Sequence, residues 1–303
     1  MKKFLVISIV VLFSLKGEAQ TDPLYTQYRV NMMSVNPAYA GSRNALTVGY
    51  LYRNQWVGLE GAPTTQTILA HSPINNNLGF GASVTHDVIG PTKQTAIYAN
   101  TSGRIKMGST YLAAGIQFGL DYFKTDFQSI TTGTGVDNAF AENNTLVLPN
   151  VGAGLYLYNP RYYLGFSIPK VLSSVLYDNS GAGGDVTQKR HYIAIAGYVF
   201  DLKSNIAFKP SVLARFVEGA PMSFDITTQF ILAEKFWIGP FYRWAESAGV
   251  IVGYNVTQQF KIGYSYDYSV SELVDYNSGS HELSLTYDFI YSSGKKLKSP
   301  RYF

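Results

Sequence analysis

Apolar and polar positions alternate with a period of two along much of this chain. Between 260 and 268, Phe260, Ile262, Tyr264, Tyr266 and Tyr268 alternate with Lys261, Gly263, Ser265 and Asp267. One face is aromatic and the other small and polar, which predicts a strand with two unlike surroundings. The same pattern sets Leu283, Leu285, Tyr287, Phe289 and Tyr291 against Glu282, Ser284, Thr286 and Asp288, and Met222, Phe224, Ile226, Thr228 and Phe230 against Ser223, Asp225, Thr227 and Gln229. Segments 46–53, 78–87, 112–122, 162–168 and 206–216 also alternate, whereas 64–72, 92–103 and 191–202 are ambiguous.

The connections decide between a sandwich and a barrel. Short turns fall at every second junction of about fourteen predicted strands, as an even-stranded transmembrane barrel with short periplasmic turns requires. They are 73–77, 104–109, 158–160, 201–204, 233–235 and 255–259. The other junctions include the long segments 124–148, 169–190 and 269–280. The fold class is therefore all-β, a transmembrane antiparallel β-barrel spanning 45–291, with both termini periplasmic and 292–303 a basic periplasmic tail.

Residues 1–19 read as a signal peptide: Lys2 and Lys3, the apolar run Phe4 to Leu15, then Gly17, Glu18 and Ala19. Residues 20–44 stand outside the alternation. Asp22 can cap and Pro23 can start a short helix in which Leu24, Tyr25, Tyr28, Met32 and Val35 recur at three- and four-residue spacing, ending before Asn36-Pro37. This segment is expected to plug the periplasmic mouth or to dock a partner there.

Composition agrees with a membrane barrel. Aromatic residues make up 15%, with 24 Tyr and 18 Phe, and charged residues only 15%, against roughly 25% in soluble domains. The absence of Cys excludes lipid attachment through an N-terminal cysteine, disulfides and thiolate metal sites. The net charge of +4 is too mild to indicate nucleic-acid binding.

Little in the sequence points to catalysis, metal or a cofactor. His71, His86, His191 and His281 are scattered without ligand spacing. The glycine-rich stretches 133–135 and 181–184 precede no helix pattern, and no nucleophile has a neighbouring base. Asp225, Asp267, Asp288 and Glu282 share polar strand faces with Lys209, Arg215, Lys261 and Arg243. Ion pairs filling a lumen are the favoured account of them, and an acid/base pair is the alternative. Arg53, Gln55 and Trp56 sit where the first strand leaves the membrane; Trp56 fits either an aromatic girdle or a docking hot spot.

An ordered series of segments carries a resemblance: QTDPLYTQY (20–28), NPAYAG (36–41), RNQWVGLEGAPTTQT (53–67), GFGASVTHDVIGPT (79–92), HYIAIAGYVFDL (191–202), KPSVLARFVEGAP (209–221), KFWIGPFYR (235–243), IGYSYDYS (262–269), SGSHELSLTYDF (278–289) and SPRYF (299–303). In these the chain resembles the PorP/SprF family of outer-membrane proteins of the type IX secretion system. The resemblance implies a non-enzymatic barrel working with the secretion or gliding machinery, with a secreted adhesin and periplasmic type IX components as partners. Tyr25, Tyr28, Asn36, Pro37, Tyr39, Arg53, Gln55, Trp56, Arg243, His281 and Glu282 are the expected docking residues. A transporter or channel for small solutes is the competing reading, since small lumen-facing residues such as Gly79, Gly81, Ser83, Gly263 and Ser265 leave room either for a ligand or for the N-terminal segment.

Overall fold

The structure is a computed structural model describing residues 23–126, 144–177 and 186–289. Fourteen strands close into one antiparallel ring: β1 (Leu46–Asn54), β2 (Thr64–Pro73), β3 (Leu78–Ile89), β4 (Thr92–Met107), β5 (Thr110–Thr125), β6 (Asn144–Tyr158), β7 (Tyr162–Ile168), β10 (His191–Tyr198), β12 (Ile206–Val217), β13 (Ser223–Leu232), β14 (Phe236–Arg243), β15 (Ser247–Asn255), β16 (Phe260–Ser269) and β17 (Ser280–Phe289). Each strand pairs with its sequence neighbour in the ring. Pairing of β10 with β12, and of β1 with β17 from Leu46↔Phe289 to Asn54↔His281, completes the closure. The strands β8 (Val175–Tyr177) and β9 (Val186–Thr187) form a small separate hairpin, and β11 (Phe200–Lys203) pairs with β12 alone.

Ring closure satisfies the strand edges that a membrane cannot hydrate. The alternation then distributes side chains between lipid and lumen. Ile97, Ile116, Phe118, Leu155, Phe166, Ile226 and Phe230 are exposed on the outer wall, while Thr47, Thr67, Asn100, Gln117, Ser265 and Ser284 are buried on the inner one. The ambiguous segments proved to be strands β2, β4 and β10.

The two ends of the barrel differ less uniformly than the turn lengths suggested. At the end holding residues 46 and 289, the β4–β5 connection shrinks to Gly108-Ser109, because the ladder runs on to Met107↔Thr110 and Gly108 supplies the positive φ of 64°. At the opposite end, 55–63, 169–190 and 270–279 are long, but β3 and β4 are joined by Gly90-Pro91 alone. The stretches 127–143 and 178–185, within the expected outer loops, lie outside the described residues, as do residues 1–22, with the expected signal peptide, and residues 290–303, with the expected tail.

The N-terminal segment lies inside the barrel, threaded from one end to the other. Thr26 and Gln27 bond Glu282, close to the loop end of β17, whereas Arg43 pairs with Asp288, one residue from its turn end. Pro23, the first described residue, lines a cavity near the loop end, and Phe289, the last, closes β17 at the turn end; the expectation that both chain ends are periplasmic falls on residues 1–22 and 290–303, outside the described residues.

The predicted helix is also cut down, to α1 (Met32–Val35) and a 3₁₀ turn at Pro37–Tyr39. The amides of Thr26 and Gln27, which a helix starting at Pro23 would use internally, are taken by the Glu282 carboxylate at 2.8 and 2.7 Å. The chain turns there instead, with the Val30 amide donating to the Gln27 carbonyl. The apolar periodicity nevertheless marks a real inward surface: Tyr25, Tyr28, Met32 and Val35 are all buried.

Candidate functional site

Buried carboxylates and guanidinium groups hold the segment at the loop end. Arg53 on β1 bridges Asp267 of β16 at 2.8 Å and Glu282 of β17 at 3.0 Å, and also donates to the Thr26 hydroxyl at 3.0 Å. Thr26 donates in turn to Asp267 at 2.5 Å. Gln27 donates its side-chain amide to the Glu282 carbonyl and accepts from the Ser284 hydroxyl. Burial is nearly total, with Arg53 at 1% exposure and Glu282 at 0%. Charges so enclosed persist only when paired and hydrogen-bonded on all sides, and here the segment supplies part of that pairing.

A second guanidinium, Arg243 of β14, forks onto both oxygens of Asp225 at 2.9 Å, reaches Glu246 at 3.1 Å and donates to the Tyr25 carbonyl at 3.4 Å. Tyr25 shares a hydrogen bond with Thr67 at 2.8 Å. Arg29 donates to Gln229. At the turn end, Asp288 gathers Arg43, Lys261 and the Thr47 hydroxyl. The favoured account of the strand-face charges, ion pairs filling the lumen, is borne out at Asp225, Asp267, Glu282 and Asp288.

Between these ends the NPAYAG stretch fits residue by residue. Asn36 accepts from the Ala38 amide and donates to the Leu155 carbonyl at 2.9 Å. Tyr39 packs edge-on against His71 and Tyr156, with ring centroids 5.3 and 5.6 Å away. The Ala40 carbonyl accepts from Ser102 and the Gly41 carbonyl from Arg104. Glycines on the inner wall make this approach possible. A Cβ on Gly115 would lie 2.4 Å from the Ala38 backbone, on Gly154 2.2 Å from Asn36 Oδ1, on Gly81 2.3 Å from Met33 Sδ and on Gly79 2.8 Å from Gly41 Cα. Gly115→Leu is therefore expected to expel the central part of the segment. Limited proteolysis of the purified barrel will show new cleavage near Ala38 in the variant and none in the parent.

The eleven expected docking residues divide cleanly. Tyr25, Tyr28, Asn36, Pro37, Tyr39, Arg53, Gln55, Arg243 and Glu282 are buried in the barrel, most of them against or within the segment. His281 and Trp56 are half-buried instead. His281 faces outward from β17, hydrogen-bonded to the Tyr264 hydroxyl at 2.6 Å. Trp56 has a left-handed φ of 46° and donates its amide to Ser280; a non-glycine residue in that region is strained. Val57 and Ser278 exchange backbone bonds with Gly279 and Val57, tying the 55–63 loop to the 270–279 loop.

Sequence reasoning did not find Thr26, Gln27 or Arg43. Their carboxylate partners lie more than two hundred residues away, and no local pattern marks them. The structure also holds a cavity of about 100 Å³ on the loop side of the segment, lined by Tyr25, Tyr28, Tyr98, Lys170, His191 and Arg215 among others. Lys170 is paired there with Asp121 at 3.2 Å. Among the described residues no cluster of His, Asp and Glu could hold a metal ion, and no helix is long and apolar enough to cross a membrane.

The fold is shared with solved outer-membrane barrels. The monoaromatic hydrocarbon channel CymD matches with a TM-score of 0.50 and 11% identity over 91% of this chain and 96% of that one. The Ralstonia pickettii toluene transporter TbuX gives 0.49 and 7% over 85% and 93%. The Acinetobacter baumannii outer membrane protein Omp33 gives 0.49 and 11% over 82% and 100%. No curated protein sequence matches the chain. The family model of the type IX secretion system membrane protein PorP/SprF matches residues 17–287, nearly the whole barrel and the segment within it, and the chain therefore belongs to the PorP/SprF family of outer-membrane β-barrels.

Proposed function

We propose that this barrel is a non-enzymatic component of the type IX apparatus that docks or anchors a secreted surface protein of the adhesin class at its loop end. Its short-turn end, periplasmic by the general rule for such barrels, meets the periplasmic machinery. The observation that carries this reading, within the family assignment, is the occupied lumen: a glycine-seated strap with a buried apolar stripe, hydrogen-bonded to the wall along its length, is suited to a rigid docking platform, not to a diffusion path. If the segment left, Glu282, Asp267 and the Ser284 hydroxyl would exchange these fixed partners for water.

On this reading the nine buried docking candidates act by seating the segment, while Trp56 and His281 border the accessible face. The cavity beside Lys170 and His191 favours the channel alternative, because it leaves space on the loop side that a solute could enter.

Affinity capture of the tagged protein from detergent-solubilised outer membranes of its native host decides between them. Recovery of type IX components together with a large secreted adhesin is expected. A protein that emerges alone and conducts ions in a planar bilayer would remove the docking reading in favour of the channel.

A further inference from the structure

The direction in which the segment runs has a topological consequence. Glu282, which holds Thr26 and Gln27, and Asp288, which holds Arg43, are six residues apart on the same strand. That separation is about 20 Å along β17 at roughly 3.3 Å per residue, or about 15 Å along the barrel axis for a strand tilted by roughly 40°. Gln27 is the end nearer the loops. Pro23 lines the same cavity as Lys170 and His191, which stand at the loop ends of β7 and β10. Past Val35 the contacts move toward the turn end, to Ser102 and Arg104, five and three residues before β4 ends at Met107. Val35 accepts from Ser167, Ala40 from Ser102 and Gly41 from Arg104, and Arg43 meets Asp288 just before β1 begins. The chain therefore passes down the lumen from the loop mouth to the turn mouth before the first strand carries it back.

We propose that the N-terminal end of the mature chain is displayed on the cell-surface side of the outer membrane, at the mouth ringed by the long loops, and forms part of the face that meets the secreted client. The client clause rests on the function proposed above; the display does not. The occupied seat makes the direction a property of the folded state. Reversing the segment would put Arg43 beside Glu282 and strip the Thr26 and Gln27 amides of their carboxylate. It would also take Asn36 and Ala38 away from Gly154 and Gly115, where any Cβ would collide with them. Among the described residues of the segment, only the stretch around Asn44 is then open to the periplasmic side, in contrast to the expectation that the whole segment lies at that mouth.

The test places a protease-cleavable epitope directly after Gln20 in the full-length protein, with the same epitope in the β2–β3 turn at Asn76 as the opposite-end control. Assembled barrel is confirmed by its heat-modifiable migration. Protease added to intact cells is expected to remove the N-terminal epitope and to leave the Asn76 one untouched. Removal only after the outer membrane is permeabilised, or resistance in both conditions, overturns the proposal. Should the tagged form fail to assemble, Leu24→Cys in this cysteine-free chain substitutes. Labelling of intact cells by a membrane-impermeant maleimide, matching that of Glu60→Cys in the loop and unlike Asn76→Cys, supports the display, and any weaker labelling on intact cells than on lysed ones overturns it. Because neither readout uses a client, loss of adhesin binding leaves the result intact.

Discussion

Removing residues 23–44 is expected to turn a silent barrel into a conducting one. The fourteen-strand ring is closed without the segment, since every strand pair is made by residues from Leu46 to Phe289. What the segment contributes is the filling of the interior: Tyr25, Tyr28, Met32, Met33, Val35, Ala38 and Tyr39 make up much of the buried apolar core. With it gone, the inner wall faces a water-filled space lined by Gly79, Gly81, Gly115, Gly154 and Gly263. Planar-bilayer recording of purified protein should show a flat baseline for the whole chain and discrete openings for the deletion. Open-pore currents from the intact protein at similar size would mean that the strap does not close the barrel, and the channel account would then stand.

The second large effect is expected at Arg53. It is the shared partner of two buried carboxylates, Asp267 and Glu282. Arg53→Ala leaves both without their counter-charge and costs about 3–5 kcal/mol, the penalty for breaking a buried pair from one side. The heat-modifiability transition should fall well below that of the parent, and the Thr26 contact should go with it. The triple variant Arg53→Met, Asp267→Asn, Glu282→Gln removes the charges together and should recover most of the loss, because the cost lies in the uncompensated carboxylates and not in missing side-chain volume. Equal destabilisation of the single and triple variants would assign the effect to packing instead.

The strands that were easy to read and those that were not differ in what their inner faces touch. On β16 and β17 the lumen side is Gly263, Ser265, Asp267, Glu282, Ser284 and Thr286, so polarity changes sign at each step. On β10 the inward Ile193 and Ile195 pack into the apolar core formed with the segment, so both faces are greasy, and on β2 the inward Leu69 stands among Thr65, Thr67 and His71 while Gln66 is outward, so neither face is uniform and the period of two fades. The N-terminal segment showed its buried stripe but not its conformation. Its helix was pre-empted by a carboxylate supplied from the last strand, which spacing within residues 20–44 cannot reveal. The charges at Asp225, Asp267, Glu282 and Arg243 were visible as lumen pairs, whereas their role in holding Tyr25, Thr26 and Gln27 depends on a fold that brings residue 26 to residue 282.

The pairing of β1 with β17 also sets the order in which this molecule can be built. The seam joins the first strand of the chain to the last, so the cylinder does not exist until the final ten described residues have been delivered, and contacts of such sequence separation form slowly. Because the strap occupies the space that the seam encloses, it has to be laid in place before the staves meet. A chain truncated within β17 would lose not one strand but the enclosure itself, and with it the anchor of its own leading end.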